Sequence, residues 1–222
     1  MTARPALPVK ERDAVWTVYV IDPLAAPLVA RVRSVGWVTP NRLTVASAVV
    51  ALGAAAAFAL GPLWAGAILF QFSFLLDCMD GKLAAARGAS NPQGALYDVI
   101  GDCIRLAGCA AGLAIGLDGA DAAALVAAYV GIRFSVITVA EARPGTERRG
   151  TVTLPARFGA FLRAAPRRSG LPGTTVDTEA VAFTFGPLLG VPVVGVGVAA
   201  AVDLLHLLVY VLAAVRAAMA RS

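Results

Sequence analysis

Histidine is nearly missing from this chain. Its 222 residues hold one, His206, and three cysteines, Cys78, Cys103 and Cys109. No Cys-x2-Cys spacing and no cysteine–histidine cluster occurs, which argues against a zinc site or a disulfide framework. The cysteines fall inside apolar stretches and read as packing residues. Charge is also sparse: 15% of residues are Asp, Glu, Lys or Arg, 59% are hydrophobic, and mean hydropathy is +0.76. That balance excludes a soluble core and indicates one integral membrane domain. Internal repeats are not evident. Residues 1–13 are polar and basic, without a compact apolar stretch and cleavage site, so no cleavable signal peptide is expected.

Apolar runs of roughly 20 residues, the length that spans a bilayer, occur near 41–60, 63–82, 95–116, 120–141, 176–198 and 200–219. The expected fold class is therefore all-α and polytopic, with six transmembrane helices. The last two spans adjoin around Gly195 to Ala201. Residues 12–36 mix Trp16, Tyr19, Ile21, Leu24, Leu28 and Val32 with Arg31 and Arg33, and Pro23 and Pro27 interrupt them. Too polar and broken to span, the segment reads as an amphipathic helix lying along the membrane interface. Thr39-Pro40 supplies an N-cap followed by proline at the first helical position. The chain thus divides into residues 1–39, an N-terminal segment with an interfacial helix, and residues 40–222, a six-helix transmembrane catalytic domain.

Orientation follows from the 19 Lys and Arg residues. Six precede or open the first span (Arg4, Lys10, Arg12, Arg31, Arg33, Arg42), and Lys82 and Arg87 end the second. Seven lie between the fourth and fifth spans (Arg143, Arg148, Arg149, Arg157, Arg163, Arg167, Arg168), and Arg216 and Arg221 end the chain. Arg105 and Arg133 are inside spans, so the opposite loops carry none. The positive-inside rule then puts both termini on the cytoplasmic side of the plasma (inner) membrane. The net charge of +5 is an orientation signal, and nothing suggests nucleic-acid binding.

Against this background four carboxylates stand out: Asp77 and Asp80 on the second span, Asp98 and Asp102 on the third. At 100° per residue, Asp77, Asp80, Gly81 and Ala84 fall at about 0°, 300°, 40° and 340°. Gly94, Asp98, Asp102 and Arg105 fall at about 0°, 40°, 80° and 20°. Each helix therefore presents two acids beside small residues on one face, at its cytoplasmic end. Four like charges near a membrane need compensation. All-oxygen donors suit hard divalent cations such as Mg2+ or Mn2+. The glycines and Ala84 leave space for a bulky group beside the metal. Chemistry that uses such a cluster at a membrane surface is phosphoryl-type transfer, in which paired cations neutralise a diphosphate and the charge on the leaving group.

The run Asp77-x2-Asp80-Gly81-x2-Ala84, followed after the break by Gly94-x3-Asp98-x3-Asp102, resembles the signature of the CDP-alcohol phosphotransferase family. Pro40-Asn41-x2-Thr44 also resembles that family, and the likeness covers nearly the whole chain. The resemblance implies that a CDP-linked alcohol gives its phosphoryl-alcohol part to an acceptor hydroxyl, with release of CMP. It implies two Mg2+ or Mn2+ ions held by Asp77, Asp80, Asp98 and Asp102, with Asp102 also the general base. Gly81, Ala84 and Gly94 would line the nucleotide pocket, with Asn41 and Thr44 approaching it from the first span. It further implies a homodimer. CDP-diacylglycerol is the expected donor, its acyl chains entering from the bilayer lipids. Basic residues near the site favour an anionic acceptor alcohol such as glycerol phosphate or inositol phosphate.

One position departs from the signature: the family arginine is Ala85 here. Arg87 is the candidate replacement at the nucleotide, about 20° around the axis from Asp80 if the helix continues. Arg105 has two readings, a structural pair with the acids or a holder of an anionic acceptor. Arg133, in mid-membrane, must face a partner or a cavity. It serves either an acceptor or lipid phosphate, or a structural pair with Glu141 or Glu179. Asp203 and His206, three apart, can pair with each other. The rival functional class is a non-enzymatic membrane protein, either a divalent-cation transporter or a scaffold. Against a transporter, the acids cluster at one end and no matching acid pair crosses the bilayer, with Asp203 and Glu179 the only remote candidates.

Overall fold

A computed structural model describes residues 12–89, 92–141, 169–171 and 173–219. A three-residue strand, β1 (Arg12–Ala14), leads through a π-helical turn (Thr17–Ile21) into α1 (Asp22–Val32). Four long helices follow: α2 (Pro40–Leu60), α3 (Leu63–Ala86), α4 (Pro92–Gly116) and α5 (Ala120–Glu141). A second short strand, β2 (Ser169–Leu171), pairs with β1 in parallel, Arg12 facing Ser169 and Ala14 facing Leu171. A continuous helical stretch over 175–188 then comprises α6 (Thr175–Ala180), a π-helical turn (Val181–Phe185) and α7 (Gly186–Leu188). The last helix, α8 (Pro192–Met219), has 28 residues.

The all-α polytopic architecture is present, and among the described residues five helices (α2, α3, α4, α5 and α8) are long and apolar enough to cross a membrane. The expected fifth span is shorter than predicted. At 1.5 Å per residue the stretch 175–188 extends about 21 Å, against roughly 30 Å of hydrocarbon. The boundary with the last helix also lies earlier than Gly195–Ala201. Gly190 turns the chain with φ +72°, and Pro192 opens α8. Unbroken hydropathy across Leu188–Val198 hides that signal from a count of apolar residues. The turn depends on a backbone conformation that glycine adopts readily.

Helix starts follow local chemistry. The Thr39 hydroxyl accepts the Arg42 N–H at 3.3 Å, with Pro40 behind it. At the other end of α2, Gly61 takes φ +107° and closes the helix. Small residues let α4 approach α2 at backbone distance. A methyl at Gly112 would lie 2.1 Å from the Ala55 carbonyl oxygen, and one at Gly116 2.0 Å from that of Phe58. Such contacts drive helix association where lipid removes the hydrophobic incentive. Between α2 and α3, Ser47 Oγ donates to the Ser73 carbonyl and Ser73 Oγ to the Ser47 carbonyl, each at 2.9 Å. The core centres on Phe58, Phe70, Leu113, Tyr129, Phe183 and Val196. Large apolar side chains such as Leu52, Trp64, Ile68, Leu205 and Leu212 point outward, as lipid-facing surfaces require.

The N-terminal helix packs on the bundle. Ile21, Ala25 and Val29 bury against Phe74, Met79 and Leu83 of α3, while Leu24 and Leu28 stay exposed. Lys82 on α3 meets Asp22 at 2.7 Å. Pro27 sits inside α1 without ending it.

Candidate active site

The acids lie at one end of the bundle, near the C-terminus of α3 and in the first half of α4, with the start of α2 beside them. Asp77, Asp80 and Asp98 each place a carboxylate oxygen within 4.8 Å of the other two. Asp77 and Asp80 are buried and Asp98 is exposed. Thr44 of α2 donates its hydroxyl to Asp80 Oδ2, fixing that carboxylate from a third helix. Asp77 Oδ1 is buried without a hydrogen-bond partner. Three converging carboxylates and an orphaned buried oxygen fit a hard divalent cation, whose oxygen ligands stand about 2.0–2.6 Å from the ion. Such an ion would be held by Asp77, Asp80 and Asp98.

Asp102 is one turn further along α4. Its side chain is 51% exposed and accepts from Arg105 Nη2. Gly81 faces open space: a methyl there would meet no atom within 4 Å. Ala84 and Gly94 are half-buried, and Asn41 is exposed one turn before Thr44. An opening at Gly81, beside the small Ala84 and Gly94, therefore adjoins the acids among the described residues.

The structure gives Arg87 a different task from the expected one. Its Nε donates to the Arg33 carbonyl (3.0 Å), Nη1 to Val38 (2.7 Å), and Nη2 to Val32 (3.2 Å) and Val35 (3.0 Å). Four of its five N–H groups thus hold the chain between α1 and α2. Those donors already have acceptors within the protein. Helical projection alone cannot see a loop from residues 33–38 crossing above the end of α3.

Arg105 and Arg133 both find acids. Arg105 Nη1 is 3.3 Å from Asp77 Oδ2, and Nη2 is 3.9 Å from Glu179 Oε2. Arg133 donates to Glu179 Oε1 and stands 3.7 Å from Asp203 Oδ2. For Arg133 the structural alternative with Glu179 is the one observed. Two carboxylates, Glu179 and Asp203, thus stand against its charge. The Asp203 Oδ1 atom also accepts from Thr178 Oγ1 at 3.0 Å and lies 3.7 Å from His206 Nδ1. Sequence reasoning missed that Glu179 stands between the two arginines. Its position, one turn into a capped helix after a long connection, carries no spacing signal toward Arg105. The seven arginines expected between the fourth and fifth spans lie outside the described residues.

An α-helical membrane bundle with an aspartate cluster split between two consecutive helices and a threonine from the preceding one defines a narrow class. The CDP-alcohol phosphatidyltransferase profile matches residues 37–215, and the chain belongs to that family. A phosphatidylinositol phosphate synthase of Mycolicibacterium smegmatis is 35% identical over 95 residues, 40% of this chain and 43% of that protein. A bifunctional IPC transferase and DIPP synthase of Rubrobacter xylanophilus is 32% identical over 154 residues, 69% of this chain and 32% of that protein. The chain therefore aligns with less than half the length of either relative. Two crystal structures of Mycobacterium tuberculosis phosphatidylinositol phosphate synthase share the fold at 21% identity. The apo form superposes with a TM-score of 0.59, over 83% of this chain and 93% of that one. The form with CDP-DAG bound gives 0.58, over 85% and 92%.

Proposed function

We propose that this protein transfers a phosphatidyl group from CDP-diacylglycerol to the hydroxyl of an anionic, phosphorylated acceptor, releasing CMP in phospholipid synthesis. The observation that carries this reading is the convergence of Asp77, Asp80 and Asp98 from α3 and α4 within 4.8 Å. Family membership and the two synthase relatives support the donor and acceptor classes. Bound Mg2+ or Mn2+, two ions in this reading, would neutralise the diphosphate and the departing CMP phosphate. The chain's own residues do the rest. Thr44 keeps Asp80 turned to the cluster. Gly81, Ala84 and Gly94 leave room for the cytidine end, with Asn41 at its rim. Asp102, exposed beside the cluster, takes the proton from the acceptor oxygen as that oxygen attacks phosphorus and the bond to CMP breaks. The membrane-facing sides of α2 and α3 flank the gap and admit acyl chains from the bilayer.

The site faces the cytoplasm; the short stretch 175–188 makes a sixth crossing, so both termini lie on that side of the plasma membrane, and the protein works as a homodimer. In a background lacking the three native cysteines, Asp118→Cys should be labelled from outside intact cells and Ala89→Cys should not. Labelling of both from outside overturns the orientation.

The decisive assay uses purified protein, CDP-diacylglycerol and a panel of acceptors, with CMP and lipid product read by mass spectrometry. Turnover should require Mg2+ or Mn2+ and stop on chelation. Asp102→Asn should lower saturated turnover by about 10^2–10^4-fold, the usual share of general-base catalysis, while donor affinity falls far less. Loss of donor binding in Asp102→Asn would make Asp102 a metal ligand alone. Divalent-ion flux in vesicles without CMP release would establish the transporter class instead.

A further inference from the structure

One buried cation among the described residues stands against the aspartate cluster. Among the described residues around it, Lys82 meets Asp22, Arg87 holds backbone carbonyls, and Arg133 sits between Glu179 and Asp203. Arg105 remains, 4% exposed, between Asp77 and Asp102 on one side and Glu179 on the other. We propose that Arg105 is a built-in counter-cation of the metal site: it bridges Asp77 and Asp102 in the metal-free protein and moves to Glu179 when a divalent ion binds. This rests on the metal-dependent reading of the site given above.

Three features of the geometry make Arg105 able to exchange. Its hold on Asp77 is loose, a 3.3 Å approach in which Nη1 makes no hydrogen bond, and Nε has no acceptor either. Its guanidinium rests on the Phe74 ring, 5.0 Å from the centroid. A ring face attracts the cation without fixing the direction of its N–H groups. Its destination is already facing it. Glu179 directs Oε1 to Arg133, and its Oε2 stands 3.9 Å from Arg105 Nη2. A movement of about 1 Å converts that approach into an ordinary hydrogen bond. Asp203 shares Arg133 with Glu179, so Glu179 retains charge with which to receive a second guanidinium. A divalent ion on Asp77 repels Arg105 and competes for the same oxygens. Coulomb repulsion at this range in a partly dry site is large enough to set the ion's affinity.

The test is Mn2+ binding to purified full-length protein, followed by the electron paramagnetic resonance signal of free Mn2+, with no turnover required. Wild type should bind saturably. Arg105→Gln should bind about tenfold or more tightly, because a competing positive charge is gone. Arg105→Lys, whose point charge cannot bridge two carboxylates, should fall between the two. Glu179→Gln should bind more weakly, since Arg105 then has no second partner. In the Arg105→Gln background the same Glu179→Gln change should shift affinity by less than about twofold, as a double-mutant cycle requires when one residue acts through the other. Weaker or unchanged binding in Arg105→Gln overturns the proposal, because it makes Arg105 a mere support for the acids. An equal effect of Glu179→Gln in both backgrounds overturns it too. Should Arg105→Gln fail to fold, Arg105→Lys decides alone: tighter than wild type sustains the exchange, unchanged or weaker ends it. Absence of saturable binding in wild type would instead remove the metal-dependent reading itself.

Discussion

The two halves of the bundle bury acids in opposite ways. In the first half, buried Asp77 and half-exposed Asp102 flank one guanidinium, Arg105, with Asp80 and Asp98 beside Asp77. In the second, Glu179 and Asp203 share Arg133, with Thr178 and His206 completing the shell around Asp203. The helices are held differently as well. The first half packs backbone on backbone at Gly112 and Gly116 against α2, as the second does at Gly186 and Gly195. The second adds ion pairs reaching between α5, α6 and α8. Charge balance is what separates holding from binding. Among the described residues, one guanidinium serves two acids of the second half, whereas the acids of the first half converge where a divalent cation would fit.

The largest effect expected from this contrast is on turnover. Asp80→Asn or Asp98→Asn should cost several orders of magnitude in CMP release and weaken Mn2+ binding. Asp203→Asn, at the balanced end, should act chiefly on stability. Comparable rate losses for Asp80→Asn and Asp203→Asn would erase the distinction between the halves. Next in size is Arg133→Met, which leaves Glu179 with one loose partner and Asp203 with none of its positive charge. Removing one member of a buried pair costs about 3–5 kcal/mol, so unfolding in detergent should show a loss of that order. A melting curve unchanged from wild type would show that the second half does not depend on its ion pairs.

Arg87 sharpens the comparison at the membrane surface. Arg87→Ala should cost about 1.5–3 kcal/mol, the scale of hydrogen bonds to a charged group. Hydrogen exchange across residues 32–38 should quicken, with Arg87→Lys recovering only part because it cannot reach four carbonyls. A large loss of donor affinity with no change in that exchange would restore a nucleotide role. The smallest effect separates the two packing modes. Gly112→Ala places a methyl 2.1 Å from the Ala55 carbonyl oxygen and should destabilise by about 1–3 kcal/mol. Gly131→Ala on α5, where no atom lies within 4 Å, should be neutral or stabilising by up to about 1 kcal/mol. Equal responses would mean that close approach of α4 to α2 is dispensable.

Much of the site was legible because helical periodicity is a local property. Asp77, Asp80, Asp98 and Thr44 are brought together as their spacing and the family signature imply. The acceptors of Arg87 were not legible, for the opposite reason. Its position relative to Asp80 follows from helix geometry, but its acceptors are carbonyls some 50 residues earlier in the chain. The last loop was missed by about six residues because Leu189-Gly190-Val191 is as apolar as the helices it joins.

The sequence by itself determined the solvent, the helices and the acids. Hydropathy demands a bilayer, the 3.6-residue repeat sets two carboxylates on one face of each of two helices, and Pro and Gly mark most ends. Only the tertiary structure decided which cation answers which acid. That choice depends on distances between helices far apart in the chain, as with Arg133 and Glu179, 46 residues apart. In low dielectric a displacement of an ångström or so changes an ion pair into an isolated charge. No local pattern of residues encodes it.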